Sequence, residues 1–288
     1  MLENCWGLTY DPEKEKKWNK ILEEALAEKQ KIRRKQFRNK LTKQTILRAE
    51  EVGADLVTIT TAERAAEIAK EFFLWRPPHA YLEDAESVII LAMRNVDAVI
   101  RTPGTMTSRQ NILMNIKLNE ISYWVARWLQ DQGYDAIPVY EVYLGSSIEA
   151  HHTDVQAETG IPLKILAQEG GMGTIGISAL LITPEYGPRV RLGGVITNAK
   201  LVPGWKLKRN LCFEFRKLFN CNRCIEACEV HAIRGDGYID WEKCWEFQKT
   251  FKKHHGYSGC NVCQYVCPIG KYSNPLKPVP KLPKWKPK

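Results

Sequence analysis

Hydrophobic and polar positions change period several times along this chain, and each change marks an element. Residues 12–38 alternate lysine, arginine and glutamate around a thin apolar stripe, which predicts a long polar helix or helix pair with a solvated face. A second helix covers about 43–52 and stops at Gly53, a residue suited to a helix C-cap. Residues 55–60 read as a strand and 62–72 as a helix, and Arg76-Pro77-Pro78 then breaks the pattern. The continuous apolar run 87–92, Ser-Val-Ile-Ile-Leu-Ala, predicts a central strand buried on both faces. Residues 108–131 carry Ile112, Ile116, Ile121, Trp124, Val125, Trp128 and Leu129 at helical spacing, and Gly133 ends that helix. A strand follows at 135–139, and a helix at 161–170 with Pro162 in its first turn. Strands are expected again at 179–183 and 189–197, joined by the turn Pro184-Glu185-Tyr186-Gly187-Pro188. The order mixes helix and strand throughout, an α+β chain.

Between helix and strand lies Gly171-Met172-Gly173-Thr174-Ile175-Gly176. It matches the dinucleotide fingerprint in letters but not in context. That fingerprint needs a strand before it, a helix after it and an acid about 20 residues on. Here the helix comes first, the strand second, and 189–201 holds no acid. The glycines are expected to let backbone approach a bulky cofactor or a neighbouring chain segment.

The remaining signal is cysteine. Eight of nine fall between residues 212 and 267. Cys221, Cys224 and Cys228 repeat the spacing of Cys260, Cys263 and Cys267, with lone cysteines upstream at Cys212 and Cys244. The bacterial ferredoxin run is C-x2-C-x2-C-x3-C-P, and its fourth cysteine ligates the other cluster. Leu218 and Tyr257 occupy the first place of that template in the two copies. Cys212 and Cys244, further upstream, could replace them through longer loops. The swap yields Cys212, Cys221, Cys224 and Cys267 for one cluster, and Cys228, Cys244, Cys260 and Cys263 for the other. Two [4Fe–4S] clusters are expected, or one [3Fe–4S] cluster in the first set if Cys212 does not reach. Two four-thiolate zinc sites would use the same eight residues, although the x3-C-P ending favours clusters. Disulfides are the third reading, and C-x2-C pairs in a reducing compartment argue against them.

Composition places few further limits. The chain has 288 residues, is 44% hydrophobic and 26% charged, and carries a formal net charge of +9. No run of about 18 apolar residues suggests a membrane span. The N-terminus has no apolar h-region, and no hydrophobic stretch follows Arg33-Arg34 as a twin-arginine signal would require. A cytoplasmic location is expected. The tail 271–288 holds six lysines, five prolines and no acid, the composition of an extended segment. Its charge suits contact with an acidic electron donor or RNA. Four regions follow: a polar helical segment at 1–42, a core at 43–205, a cysteine module at 206–270 and a basic tail at 271–288.

These features resemble a known group. Leu166-Ala167, the segment Gly171–Gly176, Leu180-Leu181-Ile182-Thr183-Pro184-Glu185-Tyr186-Gly187, Arg191-Leu192 and Val195-Ile196-Thr197 occur in that order before the double cysteine motif. The run is similar to the epoxyqueuosine reductase and reductive dehalogenase superfamily, and 84–92 resembles its first core strand. The resemblance covers roughly residues 45–270. It implies a nitroreductase-like core that holds cobalamin or another corrinoid, fused to a two-cluster ferredoxin-like module. In that superfamily the clusters pass single electrons to cobalt, the substrate is reduced there, and a nearby acid donates a proton. The corrinoid binds base-off, so no D-x-H-x-x-G motif is needed. By the same resemblance Gly171, Met172, Gly173, Thr174, Ile175 and Gly176 are corrinoid-contact candidates.

The chain also departs from the pattern. Ile177 stands where epoxyqueuosine reductases carry lysine, Glu229 stands where proline is usual, and no acid aligns with their catalytic aspartate without a gap. The helical repeats that help many of them hold tRNA do not follow the cysteine module. For the proton donor, Glu149-Ala150-His151-His152-Thr153-Asp154 gathers histidines and carboxylates, with Asp154 first choice and His152 second. Tyr140, Tyr143 and Tyr186 are alternatives. His231 is placed to tune a cluster, and His254 and His255 are expected in a solvated loop. The function expected first is a cobalamin- and iron–sulfur-dependent reductase of a small organic substrate, fed by a low-potential donor such as ferredoxin or flavodoxin. A non-catalytic iron–sulfur electron carrier is the alternative. A tRNA-modifying, epoxyqueuosine reductase-like enzyme is the third.

Overall fold

The structure is a computed structural model that describes residues 11–71, 76–100, 105–139, 161–255 and 260–270. Its strands are β1 (Leu56–Thr61), β2 (Ser87–Arg94), β3 (Ala136–Val139), β4 (Thr174–Ile175), β5 (Leu181–Ile182) and β6 (Val190–Thr197). Four of them form an antiparallel sheet in the order β1-β2-β6-β3. Leu91 of β2 pairs with Val57 on one side and Gly193 on the other. The apolar run predicted to be central is therefore central, and its first six residues are all buried.

Helices cover both faces of that sheet, which explains why β2 does not alternate in polarity. Ile89 and Leu91 point to the side of α2 (Lys40–Glu51) and α5 (Thr105–Asp131), meeting Ile46, Leu118 and Val125. Val88, Ile90 and Ala92 point to the other side. There α3 (Ala62–Lys70) supplies Ala65 and Ile68, and α6 (Leu163–Glu169) supplies Leu166 and Ala167. A short α4 (Asp97–Ile100) precedes α5. No helix among the described residues is long and apolar enough to cross a membrane.

Residues 12–38 resolve into one helix, α1 (Pro12–Gln36). Asp11 caps it, its carboxylate accepting from the Glu13 and Lys14 amides at 3.0 and 3.2 Å. The stripe Trp18, Ile21, Leu22, Ala25 and Ile32 is buried. It packs on α7 (Leu211–Phe219) of the cysteine module, with Trp18 edge-on to Phe215 at 4.9 Å between ring centroids. The polar helix thus shares a core with the cysteine segment rather than standing apart. The module continues through α8 (Arg223–Glu226), α9 (Trp241–His255) and α10 (Val262–Tyr265).

Candidate metal centre

The glycine segment and the first cysteine are locked together by polar contacts. Leu211 N donates to Thr174 Oγ1 at 3.1 Å, and Asn210 Nδ2 donates to the Ile175 carbonyl at 2.8 Å. Asn210 also caps α7, accepting from Phe213 N at 3.2 Å. Cys212 follows in the first turn, and the Ile177 amide donates to its sulfur. At the other end of α7, Asn220 takes a left-handed conformation (φ 49°) and turns the chain into Cys221. Arg216 holds that turn, bonding the Cys221 carbonyl at 3.1 Å and Asn222 Oδ1 at 2.8 Å.

The two cysteine repeats fold alike. In each, the first cysteine and an asparagine lead into a four-residue helix, α8 after Asn222 and α10 after Asn261. Cys212, Cys221, Cys224 and Cys267 line one small cavity of about 20 Å³, together with Ile182, Arg223 and Ile269. Three of them come from one stretch, and Cys267 comes to it from the second cysteine repeat. Burial pushes all four thiols up, and for Cys224, raised to about 12, the neighbouring sulfurs of the same group contribute to the rise; Cys267 is likewise raised to about 12. Of the remaining four, Cys260 lies within electrostatic reach of Cys244, Cys228 and Cys263, and Cys263 also of Cys224 in the first set. Burial raises Cys260 to about 11, with Cys244 and Cys228 adding to the rise. Burial raises Cys263 and Cys244 in the same direction. The Ala232 amide donates to Cys228 Sγ at 3.3 Å, and Gln248 Nε2 donates to Cys244 Sγ at 3.4 Å. All eight are free thiols.

Buried thiols that resist ionisation are poor nucleophiles but suitable metal ligands, since a bound metal compensates the charge and drives off the proton. No group of three or more His, Cys, Asp and Glu among the described residues forms a site for a single metal ion. The four thiols around the cavity surround a volume instead. That donor set, soft and desolvated, fits an iron–sulfur cluster.

The glycines are explained without a cofactor. A Cβ on Gly171 (φ +81°) would run into the Trp205 carbonyl, and one on Gly173 into the Ile182 carbonyl. One on Gly176 would meet Ile182 and Cys212. Of the two expected reasons for glycine, close approach of a neighbouring segment accounts for all three. Met172 and Thr174 are buried, Ile175 half-buried.

Other candidates divide. Asp154, His152, Glu149, His151, Tyr140 and Tyr143 lie outside the described residues, as do Cys5 and the basic tail. Tyr186 sits under the Arg94 guanidinium, 5.7 Å from its ring centroid, in the turn after β5. His231 is exposed in a left-handed conformation (φ 51°), and the amide of the next residue, Ala232, contacts Cys228 instead. His254 and His255 end helix α9 rather than occupying a loop. Sequence reasoning missed Arg189, whose side chain reaches from the start of β6 to the carbonyls around Cys267. A single arginine before a strand carries no signal of that reach.

An antiparallel, helix-covered sheet joined to a doubled cysteine module defines the class: an α+β core with a ferredoxin-like appendage. No family model matches the sequence. The chain is 24% identical over 260 residues to the epoxyqueuosine reductase of Bacillus subtilis, covering 80% of this chain and 64% of that protein. It is 26% identical over 208 residues to the tetrachloroethene reductive dehalogenase of Desulfitobacterium hafniense, covering 65% of this chain and 33% of that one. Among solved structures, an epoxyqueuosine reductase with a modified tRNA stem loop superposes with a TM-score of 0.56 at 20% identity, over 81% of this chain and 66% of that one. A catabolic reductive dehalogenase superposes with a TM-score of 0.59 at 20% identity, over 77% and 30%. The chain is a homologue of epoxyqueuosine reductases and shares its fold with them and with reductive dehalogenases. It spans less than two thirds of the length of the Bacillus subtilis relative.

Proposed function

We propose that the chain is an oxidoreductase whose residues 206–270 carry two iron–sulfur clusters and feed electrons to a reductive site in the core 43–205. One observation carries the reading. Cys212, Cys221, Cys224 and Cys267 meet around one cavity, and that cavity abuts the glycine segment of the core through Ile177 and Ile182. Clusters there would supply one-electron transfer, with Cys212, Cys221, Cys224 and Cys267 holding one and Cys228, Cys244, Cys260 and Cys263 the other. A corrinoid, implied by the relatives, would supply a low-potential metal at which substrate is reduced.

The substrate class best supported is an epoxide on a modified tRNA base. Named epoxyqueuosine reductases align over most of the chain, and one solved neighbour holds a modified tRNA stem loop. The net charge of +9 suits an RNA partner. Reducing an epoxide takes two electrons and two protons. The clusters account for electrons delivered singly, and Asp154, with His152 as second choice, is proposed to deliver a proton to the oxygen. The likeness to reductive dehalogenases supports a second reading, a small organic substrate.

Protein purified without oxygen should contain about eight irons and eight sulfides per chain. It should retain added cobalamin through desalting, and reduce an epoxyqueuosine-bearing stem loop when given a low-potential reductant. Turnover of halogenated or epoxide small molecules alone would favour the second reading. Zinc in place of iron would overturn both. Clusters with no corrinoid retention and no turnover would leave a pure electron carrier. Asp154→Asn should lower turnover about tenfold or more, the low end for general acid catalysis, with iron and cobalamin content unchanged.

A further inference from the structure

Arg189 belongs to the core by sequence and to the cysteine module by contact. It immediately precedes β6, and its backbone is held within the core, with Asn95 N donating to its carbonyl at 2.9 Å. Its side chain is 7% exposed. Nη1 donates to the carbonyls of Cys267 at 2.8 Å and Gln264 at 3.3 Å, and Nη2 donates to the carbonyl of Ile269 at 2.5 Å. Gln264 lies in the short helix α10, whose terminal carbonyls lack partners within the helix. Pro268, between two of the acceptors, has no amide of its own to organise the turn. The guanidinium therefore gathers three carbonyls that bracket Cys267, an arrangement its planar fork suits and a lysine cannot reproduce. Gly187, in the preceding turn, has no room for a Cβ because the Ile269 carbonyl occupies that space. Arg189 also pairs with Asp97, 3.7 Å from Nε and about half exposed.

We propose that Arg189 is a positioning residue that fixes Cys267 in the first cysteine set and, through its charge, raises the reduction potential of the cluster held there. The inference rests on the reading of that set as cluster ligands. A reduced cluster carries one more negative charge than an oxidised one. A buried cation beside a ligating sulfur therefore favours the reduced form, and cluster potentials respond to local charge and hydrogen bonding. A residue of the core thereby tunes a cluster held by the cysteine module. Asp97 offsets part of the effect, weakened by its exposure to solvent.

The test is a redox titration, followed by EPR, of anaerobically purified full-length protein and two variants. In Arg189→Gln the reduced-to-oxidised ratio of one cluster at fixed poise should fall about tenfold, which is ~59 mV for a one-electron couple. The affected cluster should be the one perturbed by Cys212→Ala. Asp97→Asn, which leaves the guanidinium and its carbonyl bonds in place, should shift the same cluster the opposite way by a smaller factor, with iron content intact. A role in structure alone predicts no shift in Asp97→Asn. If Arg189→Gln loses the cluster, positioning is supported and Asp97→Asn decides the charge effect. Iron-loaded variants titrating at the parent potentials would overturn the proposal and leave the iron–sulfur reading standing. A parent protein without iron would overturn both.

Discussion

Gly176 lies against Cys212. A Cβ built on Gly176 would stand 3.1 Å from the Cys212 Cβ, 3.2 Å from its Sγ and 3.0 Å from Ile182 Cγ1. The last glycine of the core segment is thus the floor beneath the first cysteine of the module. The absent side chain makes room for a thiol, and with Thr174, Ile175 and Ile177 it fixes where α7 begins.

Gly176→Ala should be felt at Cys212 before anywhere else. Its added methyl is tight but not impossible, so the neighbours must move by a few tenths of an ångström. Overpacking of this kind costs about 1–3 kcal/mol. Denaturant unfolding should show the loss, and the EPR signal of one cluster should broaden or shift. An unchanged spectrum with unchanged stability would refute the contact.

Gly173→Val should act on the whole fold. Its side chain would meet the Ile182 carbonyl, backbone that cannot swing aside. Soluble yield, iron and any retained corrinoid should fall together. A variant that loses only corrinoid would restore the cofactor-cradle account of this segment.

Cys212→Ala should leave the protein folded, since Cys212 is only partly buried at the edge of its cluster of apolar residues. One cluster should convert to a [3Fe–4S] form with its own oxidised-state EPR signal. Iron analysis should drop by about one per chain, one corner of a four-iron cluster. Full iron and an unchanged spectrum would remove Cys212 from the ligand set.

Lys29 and Glu185 join α1 to the turn after β5. They form an ion pair at 2.5 Å with side chains 18% and 13% exposed, and Lys29 also donates to the Met172 carbonyl at 3.2 Å. Lys29→Met strands a buried carboxylate, a change that typically costs about 3–5 kcal/mol. Burial lowers the Lys29 pKa below its ordinary 10.5 despite the pairing. The unfolded chain then binds more protons than the folded one between the folded pKa and 10.5. Stability relative to Lys29→Met should therefore rise with pH across that alkaline window. Unfolding midpoints of both proteins at a series of alkaline pH values check the sign, and a gap that narrows with pH would contradict it.

The elements were legible where one periodicity ran long enough. β2 reads as a buried central strand because its apolar run has no polar break, and the observed layers of helix on both faces give the reason. α5 and α1 read as helices from their spaced apolar positions, within three residues of their ends. The strand expected at 179–183 shrinks to Leu181–Ile182, since its partner β4 is only two residues long. Its antiparallel partner lies inside the glycine segment, where no strand pattern shows. α9 was not among the helices expected from the sequence.

The cysteines divide the same way. Spacing within one short loop is local, so the two repeats could be read from the letters alone, and Cys212, Cys221, Cys224 and Cys267 line one cavity as the swap expects. The resemblance to reductases rested on equally local runs of residues. Which segment closes on those cysteines is not local. That α1 packs on the module, that Gly176 makes room for Cys212, and that Arg189 grips the carbonyls about Cys267 all join residues distant in the chain. Such contacts depend on the sheet's register and on the path of the chain across it, and no neighbour in the sequence encodes them.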